Sequence, residues 1–183
     1  MIGALPTSLC VGGEERRIRS DFRTVLLILE ACADAELNER EKACVCVECL
    51  YEDEIPPELY SEALERASWF IDGGNAAQSR VNVRVMDWAQ DEALIFPAIN
   101  KVAGKETRSE TYIHWWTFLG YFCEIGEGSF STVVAIRYKL ARGKPLEKYE
   151  RDYLRDNSDR VKLRGRYTAE EDAERERLKS IFT

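Results

Sequence analysis

Apolar residues along this chain recur mainly at helical spacing, with one exception at its start. In "SLCVGGEERRIRS" two short β-compatible runs flank Gly12-Gly13, a dipeptide able to take the positive φ angles of a tight turn, so a small hairpin is predicted there. "SDFRTVLLILEACAD" then places Phe22, Val25, Leu26, Leu29 and Ala33 on one helical stripe, with Ser20 or Asp21 available as its cap. Asn38 and Glu41 stand three apart, as in a capping box, ahead of a helix whose inward face is Ala43, Cys46, Val47 and Leu50. In "IPPELYSEALERASWFIDGG" Pro57 suits a first turn, while Leu59, Ala63, Leu64, Ala67 and Phe70 or Ile71 face inward. Gly73 sits where a left-handed residue ends a helix.

Residues 74–85 lose the helical period and read as a connection, with Val81, Val83 and Val85 alternating as in a short strand. Asp87 and Gln90 predict the cap of a helix in which Trp88, Leu94 or Ile95, Ala98 or Ile99 and Val102 turn inward, Pro97 introduces a kink and Gly104 ends the run. Ser109 predicts the start of a helix reaching about Gly126, with Tyr112, Trp115, Trp116, Leu119, Phe122 and Cys123 on one stripe. His114, Phe118, Tyr121 and Ile125 make a second stripe, so the helix is apolar nearly all round. A further helix begins near Ser129 or Ser131 and stops at Gly143. After Pro145 charge dominates, so the helices there should be exposed, the last of them opened by a Thr168–Glu171 capping box. The pattern predicts a mainly α, multi-helix single domain of six to eight helices behind an N-terminal β-hairpin, spanning 1–144, with a charged helical extension over 145–183.

Composition narrows the function classes. A chain of 183 residues, 45% of them hydrophobic, can bury a substantial core. It contains no run of roughly 18 apolar residues and no basic region ahead of an apolar one at its start, which predicts a soluble protein, neither membrane-spanning nor exported. The net charge of −7 argues against nucleic acid as the main partner. That charge is uneven: Arg137–Thr183 holds 14 Lys/Arg against 10 Asp/Glu and is +4, which leaves −11 for the residues before it. The basic run "RVKLRGRY" has acidic neighbours on both sides and fits an acidic protein patch better than a nucleic acid.

The six cysteines fall largely among helix-forming residues, where Cys44 and Cys46 point to different faces, so thiols are expected rather than disulfides. "CVCVEC" lacks the paired C-x-x-C turns of a structural zinc site, and no metal is expected. His114, the only histidine, has no nucleophile motif beside it and reads as a core or interface residue in preference to a catalytic base. "GEGS" follows a helix instead of a strand and lacks the Lys-Ser/Thr of a phosphate loop, so it reads as one helix ending and the next being capped. Neither a catalytic residue nor a cofactor is expected.

Long colinear blocks carry a resemblance over nearly the whole chain: "MIGALPTSL", "IRSDFR", "WFIDGG", "PAINKV", "IHWWTFLGYF" and "EIGEGSFSTVVAIR". These resemble a family of phage and prophage proteins labelled gene product fifteen. The resemblance implies a role in tail morphogenesis of long-tailed phages, most plausibly as a tail assembly chaperone that binds the tape-measure protein in the bacterial host cytoplasm and is absent from the mature virion. Other tail assembly chaperone products would be further partners, and self-association into a homo-oligomer is compatible with it. The alternatives are a structural tail or connector component and, behind it, a small enzyme using His114. On the chaperone reading Trp88, Trp115, Trp116 and Phe118 are the expected partner-binding residues, with Trp115 and Trp116 dividing between core and groove because neighbours on a helix point about 100° apart.

Overall fold

A computed structural model describes residues 3–75 and 83–165. Strands β1 (Ser8–Val11) and β2 (Glu14–Arg17) pair antiparallel, with Val11 opposite Glu14. Gly12 and Gly13 take φ of +63° and +78° in the turn between them. Gly12 is required twice over, since a Cβ there would also lie 2.6 Å from the Leu59 side chain. Leu9 and Val11 face the core, and β1 packs on the helix formed by Tyr60–Ile71.

Helix α1 (Phe22–Ala33) starts where the Asp21 carboxylate accepts from the Arg23 N–H. It buries Phe22, Val25 and Ile28, and Leu26 and Leu29 pack at the margin. Helix α2 (Glu39–Leu50) opens on the full reciprocal box, Asn38 accepting from the Glu41 N–H and Glu41 from the Asn38 N–H. Its buried face is Cys46, Val47 and Leu50. A 3-10 turn, Pro57–Leu59, leads into α3 (Tyr60–Ile71), which buries Ala63, Ala67 and Phe70 and ends with Gly73 at φ +70°. α1, α2 and α3 pack in sequence, and the Tyr51 hydroxyl ties α2 to α3 by donating to the Ala63 carbonyl at 2.9 Å.

Two helix starts differ from the sequence pattern. Helix α4 runs Glu92–Ala103, not from Asp87. The Asp87 carboxylate does accept from the Gln90 N–H, but Asp91 turns back to accept from the Asp87 N–H, so residues 87–91 close a separate turn. Pro97 lies inside α4, Gly104 ends it at φ +69°, and Val102 is 37% exposed instead of inward.

Helix α5 is short, Trp115–Cys123, and its cap is His114, not Ser109. Ser109 closes a 3-10 turn, Thr107–Ser109, and residues 110–114 lie outside any helix, with His114 bridging to Asp21. Ile113 and His114 are held outside the helix, and Trp115 is fixed as its first residue, by long-range pairing with the start of α1. Phe22 N–H donates to Ile113 O, Ile113 N–H to the Asp21 carboxylate, and Trp115 N–H to Ser20 O, all within 3.1 Å. Helix α6 (Ser129–Ala141) follows, the Ser131 hydroxyl accepting from the Gly128 N–H.

Beyond Pro145, helices α7 (Lys148–Asp156) and α8 (Ser158–Val161) pack on α6. Their surfaces are largely exposed, as the charge pattern predicts, but Val161 is buried with Val133 and Ile136 in a second small core. Arg137, 4% exposed, holds the junction. It forms a two-pronged ion pair with Asp91 at 2.6 and 2.9 Å and donates to the carbonyls of Val85, Arg160 and Val161. The expected capping box at Thr168–Glu171 and the strand residue Val81 lie outside the described residues. Val83 and Val85 lie in coil. No described helix is long and apolar enough to cross a membrane.

Candidate functional site

Trp88 stands at the centre of the aromatic cluster that the fold assembles from three segments. Its ring lies 4.9 Å from Phe122 and 6.4 Å from both Trp115 and Phe118. Phe118 stacks on Phe22 at 4.2 Å, with their planes 9° apart, so α5 is pressed against α1 through two rings. The cluster therefore joins α1, the 87–91 turn and α5.

Over this cluster runs an apolar groove between α1 and the 87–91 turn. It has two adjoining lobes of about 490 and 400 Å³ that share Leu27, Glu30, Trp88 and Ala89. Leu27 is 61% exposed, on a helix whose opposite face buries Phe22, Val25 and Ile28. At one edge Arg23 lies over the Phe22 ring at 4.5 Å and Arg108 over Phe96 at 5.1 Å. Both guanidiniums are already engaged, Arg23 with Asp21 and Arg108 with Glu106. The Arg108 contact holds the Glu106 carboxyl down at about 2. The acidic rim residues Glu30, Asp34 and Glu92 make no ion pair among the described residues.

His114 is committed to structure. Its Nδ1 accepts from the Trp116 N–H at 3.0 Å, capping α5, and its Nε2 meets the Pro6 carbonyl at 2.9 Å. Because a carbonyl can only accept, the proton sits on Nε2 and both nitrogens are used. The ring is 3% exposed and edge-on to Phe70. Among the described residues no group of three or more His, Cys, Asp or Glu side chains converges. Cys46 is buried, which pushes its thiol up to about 11, with Cys32 and Cys49 adding to the effect.

The model of the family described as Bacteriophage Gp15 protein matches residues 1–163. The chain belongs to that family. No curated protein and no solved structure matches it. In this Gp15 chain the matched region takes in the hairpin, the aromatic cluster and the buried Arg137–Asp91 junction.

The four expected partner-binding residues of the Gp15 chain occupy three kinds of environment. Trp88 is half-buried and lines the groove. Trp115 and Phe118 are 1% and 0% exposed and lie in the core. Trp115 is further fixed by its indole N–H, which donates to the Ile71 carbonyl at 2.8 Å.

Trp116 points away from the groove. It is half-buried against Trp69 and Phe70, donates to the Phe70 carbonyl at 2.8 Å, and lies so close to Gly74 that a Cβ there would be 2.9 Å from its ring. Leu27, Glu30 and Ala89 are the groove residues that the helical stripes do not single out. The signal for Leu27 was the run "VLLIL", which carries more apolar residues than one buried stripe can hold; Glu30 and Ala89 carried no such signal.

Proposed function

We propose that this chain is a phage tail assembly chaperone, a non-catalytic protein of the infected host's cytoplasm that holds the tape-measure protein through the α1–Trp88 groove and does not remain in the mature virion. The observation that carries the reading is the groove itself: a two-lobed apolar channel floored by Trp88 and walled by the exposed Leu27. Such a surface suits an amphipathic helix laying its apolar stripe along it. A tape-measure protein is a long helical chain with apolar stripes, which self-associates unless they are covered. Membership of a bacteriophage family supports the setting. The occupied ring nitrogens of His114 support a binding role over a catalytic one.

The reading is tested by titrating purified chain with helical tape-measure fragments in a calorimeter. Leu27→Asp and Ala89→Glu place charge in the groove without touching the core, and are expected to weaken binding at least tenfold at an unchanged melting temperature. Equal affinity for the variants and the parent would sink the groove assignment. Mass spectrometry of purified particles separates this reading from a structural tail component. A chaperone is absent, whereas a stoichiometric copy number in particles makes the chain part of the virion.

A further inference from the structure

The charges along the α1–Trp88 groove do not balance. Arg23, Glu30, Asp34, Asp87, Glu92 and Arg108 line its two lobes. Arg23, Asp87 and Arg108 are neutralised in ion pairs, with Asp21 at 3.0 Å, Arg84 at 2.6 Å and Glu106 at 2.8 Å in turn. Glu30, Asp34 and Glu92 are exposed and have no ion pair among the described residues. An apolar floor is thus edged by carboxylates that no cation of the described chain answers.

These carboxylates stand on both walls. Glu30 and Asp34 follow Leu27 at helical spacing along α1, whereas Glu92 opens α4 just after the 87–91 turn. The C-terminal end of α1 also lies in the groove, and its last turn holds no basic residue to meet the negative pole of the helix. A partner that covers the floor must desolvate these acids, and leaving a covered carboxylate unpaired is costly. A helix flanked by Asp or Glu would meet like charge on both sides and be rejected. The α1 wall from Arg23 to Asp34 is ~16 Å long, enough for about three turns of a docked helix.

We infer that the segment this groove takes is a basic amphipathic helix, its apolar stripe on Leu27, Trp88 and Ala89 and its Lys or Arg side chains, one row on each flank, facing Glu30 and Asp34 on one wall and Glu92 on the other. This rests on the groove reading proposed above and adds which stretches of a long helical partner are held: those with cations beside the stripe. Acid-flanked stretches are passed over.

The test uses the full chain and three labelled designed peptides of about 18 residues, read by fluorescence anisotropy. All carry leucine at i, i+3, i+4 and i+7 along one stripe, with flanking positions that are all Lys, all Gln or all Glu. At about 0.05 M salt the Lys peptide is expected to bind at least tenfold tighter than the Glu peptide, and at about 1 M salt the three should converge to within about threefold. Glu30→Gln with Asp34→Asn and Glu92→Gln is expected to cut the Lys-over-Glu preference at least fivefold; Asp34→Asn keeps the acceptor that the Glu36 N–H uses. Asp53→Asn with Glu54→Gln and Glu65→Gln removes the same charge at exposed acids outside the groove and should leave most of that preference, which separates the groove from the net charge of −7. Equal affinity for the Lys and Glu peptides overturns the inference, as does an equal loss in the two triple variants or no binding of the Lys peptide at about 200 µM. None of the peptides is a tape-measure segment, so these failures are told apart from a failure of the tape-measure titration.

Discussion

Trp115 and Trp116 are adjacent, yet the fold gives them unequal work, and truncating each in turn measures the difference. Trp115 is 1% exposed, stacks on Phe118 with centroids 6.0 Å apart, and donates to the Ile71 carbonyl. Trp115→Ala removes a whole buried indole, which costs ~3–5 kcal/mol, and it leaves that carbonyl without its donor. Trp116 is only half-buried, against Trp69 and Phe70. Fully burying a large apolar side chain stabilises by ~1.5–3 kcal/mol, so the part that Trp116 buries contributes about 1–2. For a chain of this length each kcal/mol moves the melting temperature by ~2–4 °C. Trp115→Ala is therefore expected to melt ~6–20 °C below the parent, and Trp116→Ala ~2–8 °C below. Differential scanning calorimetry with urea titration reads both. Equal losses, or a Trp115→Ala loss below ~1 kcal/mol, would refute the division of core and margin argued here.

The Arg137–Asp91 junction is open to a double-mutant cycle. Arg137→Met strands a carboxylate that is 2% exposed, at a cost of ~3–5 kcal/mol, and adding Asp91→Leu is expected to recover at least ~1 kcal/mol, whereas simple additivity in urea titrations would mean the pair is not coupled. The Lys139 ammonium first, and the Glu147 N–H second, hold the Glu150 carboxyl below the usual carboxylate range. Its stabilisation is complete above the unfolded value of about 4.3 and is lost as pH falls through the depressed folded value. The gap in melting temperature between parent and Glu150→Gln should accordingly be widest near about pH 7 and close on the acid side of about pH 4; a gap that persists there contradicts the assignment. Thiol alkylation near about pH 8 should reach the exposed Cys10 and Cys123 first and Cys46 last, since its thiol is pushed up to about 11 and buried. Early labelling of Cys46 in the folded chain would show that α2 opens locally.

Much of the fold was legible because its signals act within one turn of chain. Gly12-Gly13 sets the hairpin by its own backbone freedom, Asn38 and Glu41 satisfy each other's N–H groups across three residues, and Gly73, Gly104 and Gly143 each take the positive φ that follows a helix. The family resemblance was equally legible, since long ordered blocks survive in the sequence whatever they pack against.

What the sequence could not decide hangs on partners far along the chain. Ser109 has the chemistry of a cap, but α5 is capped by His114 because Ser20, Asp21 and Phe22, more than ninety positions away, bond to the backbone of Ile113 and Trp115 and hold the chain before Trp115 out of helix. Asp91 reads as one more surface acid until Arg137, forty-six positions on, turns it into half of a buried pair. "VLLIL" offers apolar residues on every side, so its phase, with Ile28 inward and Leu27 left bare, is chosen by where α2 and α5 lie. The groove exists only through that choice. Local hydrogen bonds are written in neighbouring letters, whereas burial is a property of what the chain brings across from elsewhere.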